Sequence, residues 1–196
     1  MPTELTAPLV NLPPRLRVTD EQFRQLAHAN PELRMERTAQ GELIVMPPTG
    51  SEGGSRNAET SADIVIWNRR TKLGVVFDSS SGFRLPNGAT RSPDTAWVAQ
   101  SRWESLTPAQ RKDYAPLCPD FVLERASDSD SITVLRAKMQ EYIENGARLG
   151  WLIDPRSRQV EIYRPDQPVE QLDNPSTLSG ETVLPGFTLS LSTVFS

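Results

Sequence analysis

The chain has 196 residues, 37% of them hydrophobic and 23% charged. That length and apolar content support one domain with its own core, and they exclude both a disordered tail and a membrane-embedded protein. With 21 basic and 25 acidic residues the net charge is −4, which argues against a surface that coats nucleic acid non-specifically but leaves room for a local basic groove.

Residues 1–16 are rich in proline and read as an irregular N-terminal arm; residues 17–196 read as a single domain. Thr19-Asp-Glu-Gln22 has the spacing of a capping box and predicts a helix that stops near Asn30, before Pro31. Two short strands, 33–36 and 42–46, flank a hairpin turn at Ala39-Gln-Gly41. Residues 51–54 read as a glycine-bearing loop, and from about residue 56 Ala58, Ala62, Val65 and Ile66 make the apolar stripe of a helix. Short strands follow at 75–78 and 83–85, then a turn at Pro86-Asn87-Gly88. One strand is expected over 91–98, with Pro93 suggesting a sheet edge. Residues 103–114 form a polar connector with helical turns starting near Thr107-Pro108. In 118–125 the unbroken run Phe121-Val-Leu123 reads as a strand buried on both faces. Ile132, Leu135, Met139, Tyr142 and Ile143 share one face of a helix that ends at Asn145-Gly146. Strands at 151–153 and 160–163 follow, and 171–196 reads as β or coil. This order describes an α/β domain of mixed α+β type, built round one mixed sheet.

The chemistry available is narrow. One cysteine, Cys118, excludes an internal disulfide and a cysteine-based zinc cluster; one histidine, His28, excludes a multi-histidine metal site. Without a signal pattern or an apolar run near 20 residues, the expected address is cytoplasmic, with no membrane partner. Carboxylates and lysines must carry any catalysis. Strand alternation puts Asp120, Val122, Glu124 and Ala126 on one face and Phe121, Leu123 and Arg125 on the other. An acid as far along an apolar strand as Glu124 needs a partner, a metal or a solvent-facing end. Asp94, inside the 91–98 run, is a second strand acid. Two such acids on neighbouring strands supply oxygen ligands for Mg²⁺, and a lysine nearby, such as Lys138 on the following helix, stabilises charge on a phosphate or orients a water. Plainer roles compete: Asp94 capping a turn after Pro93, Glu124 paired with Arg125 or Arg136, Lys138 covering apolar surface with its stem. Asp120 is an alternative partner for Glu124, or a cap at the strand start. Arg69, Arg70 and Lys72 read as a solvated helix end, and the four tryptophans as core or interface.

The segments Met46-Pro-Pro-Thr-Gly50, Phe77 to Gly88, Ser92-Pro-Asp94, Cys118-Pro-Asp-Phe-Val-Leu-Glu124 and Lys138-Met-Gln-Glu-Tyr142, followed by Gly150-Trp-Leu-Ile-Asp-Pro155, Val160-Glu-Ile-Tyr-Arg164 and Leu184-Pro-Gly-Phe187, resemble in order and spacing the Uma-two family of predicted endonucleases, within the PD-(D/E)XK superfamily. The resemblance implies a restriction-endonuclease-like core, a mixed β-sheet flanked by helices, here with an N-terminal β extension. It implies an Mg²⁺- or Mn²⁺-dependent endonuclease that hydrolyses phosphodiester bonds in DNA, often as a homodimer. It assigns the metal to Asp94, Glu124 and the backbone carbonyl of Arg125, with Glu52, or secondarily Glu59, as a helper near the start of the first core helix. The superfamily lysine would fall at residue 126, which is Ala126 here, and the resemblance moves that role to Lys138. Ala126 is also the reason for an alternative: a catalytically inactive nuclease-fold module that binds nucleic acid or another protein. RNA is a third possibility for the substrate. Because Lys138 borders the buried stripe, its loss is expected to leave folding nearly intact.

Overall fold

The computed structural model describes residues 15–47, 50–128, 130–192 and 194–195. Residues 1–14 of the expected N-terminal arm lie outside the described residues. Helix α1 (Asp20–Ala29) starts on a complete capping box, with Thr19 Oγ1 accepting from the Gln22 N–H and Gln22 Oε1 accepting from the Thr19 N–H. Strands β1 (Arg34–Arg37) and β2 (Leu43–Met46) form the expected antiparallel hairpin.

Helix α2 (Ser51–Thr71) begins about five residues earlier than its apolar stripe predicts, absorbing the expected glycine loop. Each glycine costs about 1 kcal/mol relative to alanine in a helix interior. Two contacts offset that cost: Glu52 pairs with Arg56 one turn later, and the Gly53 carbonyl accepts from the Arg125 guanidinium at 2.7 Å.

Next come β3 (Gly74–Asp78) and β4 (Phe83–Arg84). The single strand expected over 91–98 is two strands, β5 (Thr90–Arg91) and β6 (Thr95–Ala99), in different sheets. Pro93, which has no N–H to donate to a ladder, sits in the crossing. The connector holds α3 (Gln100–Glu104) and α4 (Pro108–Lys112), the latter capped by Thr107 with Pro108 in its first turn. Strand β7 (Phe121–Arg125), helix α5 (Ile132–Glu144), and strands β8 (Leu149–Asp154) and β9 (Gln159–Tyr163) follow, then β10 (Glu170–Asp173), β11 (Thr177–Ser179) and β12 (Thr188–Ser190).

The frame is a mixed six-stranded sheet in the order β10-β9-β8-β7-β6-β3. Its one parallel pair is β7–β8, joined by the α5 crossover; the other neighbours are antiparallel. Every residue of β7 is buried, as expected of a strand covered on both faces. Phe121 and Leu123 enter one apolar cluster with Ile64 and Trp67 of α2 and Leu178 and Leu189 of the C-terminal ribbon. Val122, on the other face, enters a second cluster with Leu135, Met139 and Tyr142 of α5. Gly150 lets α5 lie close, since a Cβ there would stand 2.5 Å from Met139 Cε.

Beside this central mixed sheet lie a four-stranded sheet β2-β1-β5-β4, which contains the expected N-terminal β extension, and the β11–β12 ribbon. The split at Pro93 creates the first by sending β5 to pair with β1. Among the described residues no helix is long and apolar enough to cross a membrane.

Candidate active site

The β6–β7 ladder pairs Trp97 with Phe121, Ala96 with Val122 and Thr95 with Leu123. The ladder ends there, and Asp94 directly precedes Thr95, close enough for its charge to act on Glu124. Glu124 faces α5, whereas the Asp94 carboxylate is held from β7 and α2. The Arg125 N–H donates to Asp94 Oδ2 at 2.9 Å, and Asn57 Nδ2 of α2 donates to Asp94 Oδ1 at 3.3 Å. The Arg125 side chain turns to the α2 side and donates to Asn57 Oδ1 at 2.9 Å and to the Gly53 carbonyl.

Glu124 is 4% exposed. Lys138 and Tyr142, one turn apart on α5, both reach its Oε1: the Lys138 ammonium at 2.7 Å and the Tyr142 hydroxyl, donating, at 3.1 Å. Glu124 Oε2 accepts no hydrogen bond among the described residues, yet it is not one of the walled-off unpaired atoms. Lys138 also pairs with Glu36 of β1 at 2.8 Å and donates to the Ser92 carbonyl at 3.4 Å. Glu36 accepts from the Ser92 N–H at 2.9 Å and pairs with Arg91 at 3.0 Å; Arg91 in turn reaches Glu141 at 2.6 Å. Glu124, Lys138, Glu36, Arg91 and Glu141 thus form one chain of alternating charge across β7, α5, β1 and β5.

Burial pushes the Glu124 carboxyl up to about 8; Lys138 opposes this, and the negative charges of Asp94 and Glu36 add to it. Burial would lower Lys138, but Glu124 and Glu36 outweigh it and hold the ammonium above its ordinary range. Glu36, despite its own burial, is held below the usual carboxylate range by Lys138 and Arg91. Faced by two carboxylates, the Lys138 ammonium keeps its proton.

Asp94, Glu124 and Lys138 are therefore brought together, and so is the Arg125 backbone, through its N–H to Asp94. Ala126 is buried in the apolar cluster on the α5 face, where it leaves that face to α5. Glu52 is not drawn in: its side chain is 77% exposed and pairs with Arg56. Glu59 is exposed on α2. Asp120 lies at the other end of β7, where it accepts from the Ala99 N–H at 2.9 Å and pairs with Arg102 at 3.0 Å, so it is a strand-start anchor and not a partner of Glu124. Sequence reasoning missed Asn57, Glu36, Arg91 and Glu141. Only Glu36 carried a signal, as an acid beside Met35 in a four-residue strand.

Among the described residues no three His, Cys, Asp or Glu side chains converge on one point as a metal cage. The donors still fit Mg²⁺ or Mn²⁺. Magnesium is commonly held by one or two carboxylates and keeps several waters, and here two neighbouring carboxylates are available, one with an oxygen that accepts nothing among the described residues.

A family model described as "Putative restriction endonuclease", Uma2, matches residues 20–192. The crystal structure of a "putative nuclease belonging to DUF820" from Anabaena variabilis ATCC 29413 superposes with a TM-score of 0.70 at 22% identity, covering 84% of this chain and 90% of that one. This likeness establishes the fold, a mixed sheet flanked by helices. No curated protein matches the chain. With the family match spanning all of the sheet and both helices that flank it, the chain belongs to the Uma2 family of nucleases.

Proposed function

We propose that this protein is a divalent-metal-dependent endonuclease that hydrolyses phosphodiester bonds in DNA, with Asp94 and Glu124 as its acids and Lys138 as the cation at the scissile phosphate. The observation that carries this reading is the Lys138 ammonium 2.7 Å from a buried Glu124 that feels the charge of Asp94. A lysine supplied by α5, paired with Glu124, supports this reading although Ala126 stands at the usual lysine position. Asp94, Glu124 and the Arg125 carbonyl would hold Mg²⁺ or Mn²⁺, which when bound lowers the pKa of a water and offsets charge building on the phosphate. Tyr142 and Lys138 hold Glu124 by Oε1 and leave Oε2 for that ligand. Asn57 and the Arg125 N–H fix the Asp94 carboxylate. Lys138 directs its positive charge to a non-bridging phosphate oxygen, stabilising the negative charge that grows there. Water adds its oxygen to phosphorus, one P–O bond breaks, and the leaving oxygen takes up a proton. The products are a phosphate monoester and a hydroxyl. A homodimer would bring two sites to the two strands of a duplex, and a reducing cytoplasmic setting suits a chain whose single cysteine is free and buried.

Supercoiled plasmid incubated with the protein and Mg²⁺ or Mn²⁺ should be nicked. EDTA should stop the reaction, and Asp94→Asn should reduce it by about 100-fold or more. No nicking with either ion, or undiminished nicking by Asp94→Asn, would overturn the reading.

A further inference from the structure

A cavity of about 290 Å³ opens at the end of the sheet that carries the acids. Its position follows from the register. Asp78, the last residue of β3, pairs with Thr95, the residue after Asp94. The turn at 79–82 therefore leaves the sheet about one strand spacing, roughly 5 Å, from Asp94. Phe83, which lines the cavity, belongs to the apolar cluster on the α5 face, and Phe77 packs against it, so the cavity and Glu124 share a face. Gly82 separates them. A Cβ on Gly82 would stand 2.5 Å from the Tyr114 ring and 3.3 Å from Ser92 Oγ. Ser92 is the residue whose N–H and carbonyl engage Glu36 and Lys138.

The walls suit a flat ring. Phe77, Trp103 and Tyr114 are half-buried and line the space. The Arg111 guanidinium lies over Trp103, 5.5 Å from the ring centroid, steered there by the Trp103 and Glu104 carbonyls. His28, Arg111 and Lys112 face a single acid, Asp113, at the mouth, a local basic bias in a chain of net charge −4. Aromatic and guanidinium planes stack nucleobases, and basic side chains beside them attract the phosphates. A base inside a duplex has no free face to offer, and extruding one costs a few kcal/mol.

We propose that this cavity is a nucleobase subsite, which takes an unpaired base of the DNA strand next to the phosphate at the acids. The proposal rests on the nuclease reading and narrows it, making single strands, flaps and frayed ends better substrates than intact duplex. Trp103 reports on occupancy, because Trp67, Trp97 and Trp151 are all buried.

The test uses the full chain in EDTA at low salt, titrated with a mixed-sequence single-stranded DNA 12-mer, the same 12-mer with abasic sites throughout, its blunt duplex, and the RNA of the same sequence. The intact single strand should quench tryptophan fluorescence and bind at least tenfold more tightly than the abasic strand or the duplex. Trp103→Phe should lose the quench, which assigns the signal to this ring. Ser80→Phe, which fills the cavity from an exposed turn position, should abolish the tenfold preference. Equal affinity of the wild type for intact and abasic strands would overturn the subsite whether or not that variant folds, and tenfold tighter RNA binding would overturn its assignment to DNA. Quenching without plasmid nicking in Mg²⁺ or Mn²⁺ would keep the base subsite and remove the nuclease reading; nicking without quenching would do the reverse.

Discussion

Lys138 shows how a single position can be legible in place and misread in energy. Its helical spacing puts it at the border of the Leu135–Met139–Tyr142 stripe, and there it is. The border position also suggests that its loss is harmless to the fold, and the structure corrects that. The ammonium lies between Glu124 and Glu36, both at least 96% buried by their exposures of 4% and 2%. Removing one partner of a buried ion pair strands the other and costs about 3–5 kcal/mol. Lys138→Ala should therefore lower the melting temperature by several degrees and also cut metal-dependent nicking by about 100-fold or more, measured where the variant is fully folded. Nicking within about twofold of wild type would remove the lysine from the mechanism. Glu36 gives a pH signature with a definite sign. Its folded pKa is depressed, so its contribution is complete above the unfolded value of about 4.5 and disappears as pH falls through the folded one. Glu36→Gln should melt below wild type at pH 7, and the gap in thermal melts should narrow as the pH falls below about 4.5. A gap that widens in acid would contradict the assignment.

The elements divide by where their information lies. Helices α1 and α5 and strand β7 were readable because a capping box, a 3.6-residue stripe and an unbroken apolar run are local patterns. The start of α2 and the pairing of β5 with β1 were not, because each depends on a residue far away in the chain. Arg125 on β7 holds the Gly53 carbonyl 72 residues earlier, and Glu36 on β1 receives Arg91 from β5 and Lys138 from α5. In the same way Asp94 and Glu124 could be picked out as strand acids and from the family resemblance, while the side chains that steer them could not. This view predicts the behaviour of the first turn of α2. Arg125→Met keeps the backbone N–H that holds Asp94 but loses both guanidinium contacts, each worth about 1.5–3 kcal/mol as a charged hydrogen bond. Amide hydrogen exchange over residues 51–57 should speed up by about tenfold or more while β7 and β8 stay protected. Unchanged exchange there would mean that the glycine-bearing turn holds itself.

At the scale of the whole molecule, the site is a meeting point and not a pocket within one element: the crossing between sheets brings Asp94, β7 brings Glu124, α5 brings Lys138 and β1 brings Glu36. The same convergence sets an electrostatic problem. On the nuclease reading proposed above, a chain of net charge −4 that meets a polyanion with these acids repels it until a cation intervenes. Two unit charges about 5 Å apart in water repel by roughly 1 kcal/mol, a factor of about five in affinity. Asp94→Asn removes one such charge at the face that meets the phosphate. Without divalent ions it should therefore bind DNA about fivefold more tightly than the wild type, while cutting far less when Mg²⁺ is present. Raising the ionic strength shortens the Debye length from about 10 Å at 0.1 M to about 3 Å at 1 M, so the advantage should shrink with salt. Anisotropy titrations of a labelled DNA in EDTA at two salt concentrations would measure it. A variant that binds no better than wild type at low salt would mean that the DNA backbone does not approach Asp94, and the scissile phosphate would have to be sought elsewhere on the sheet.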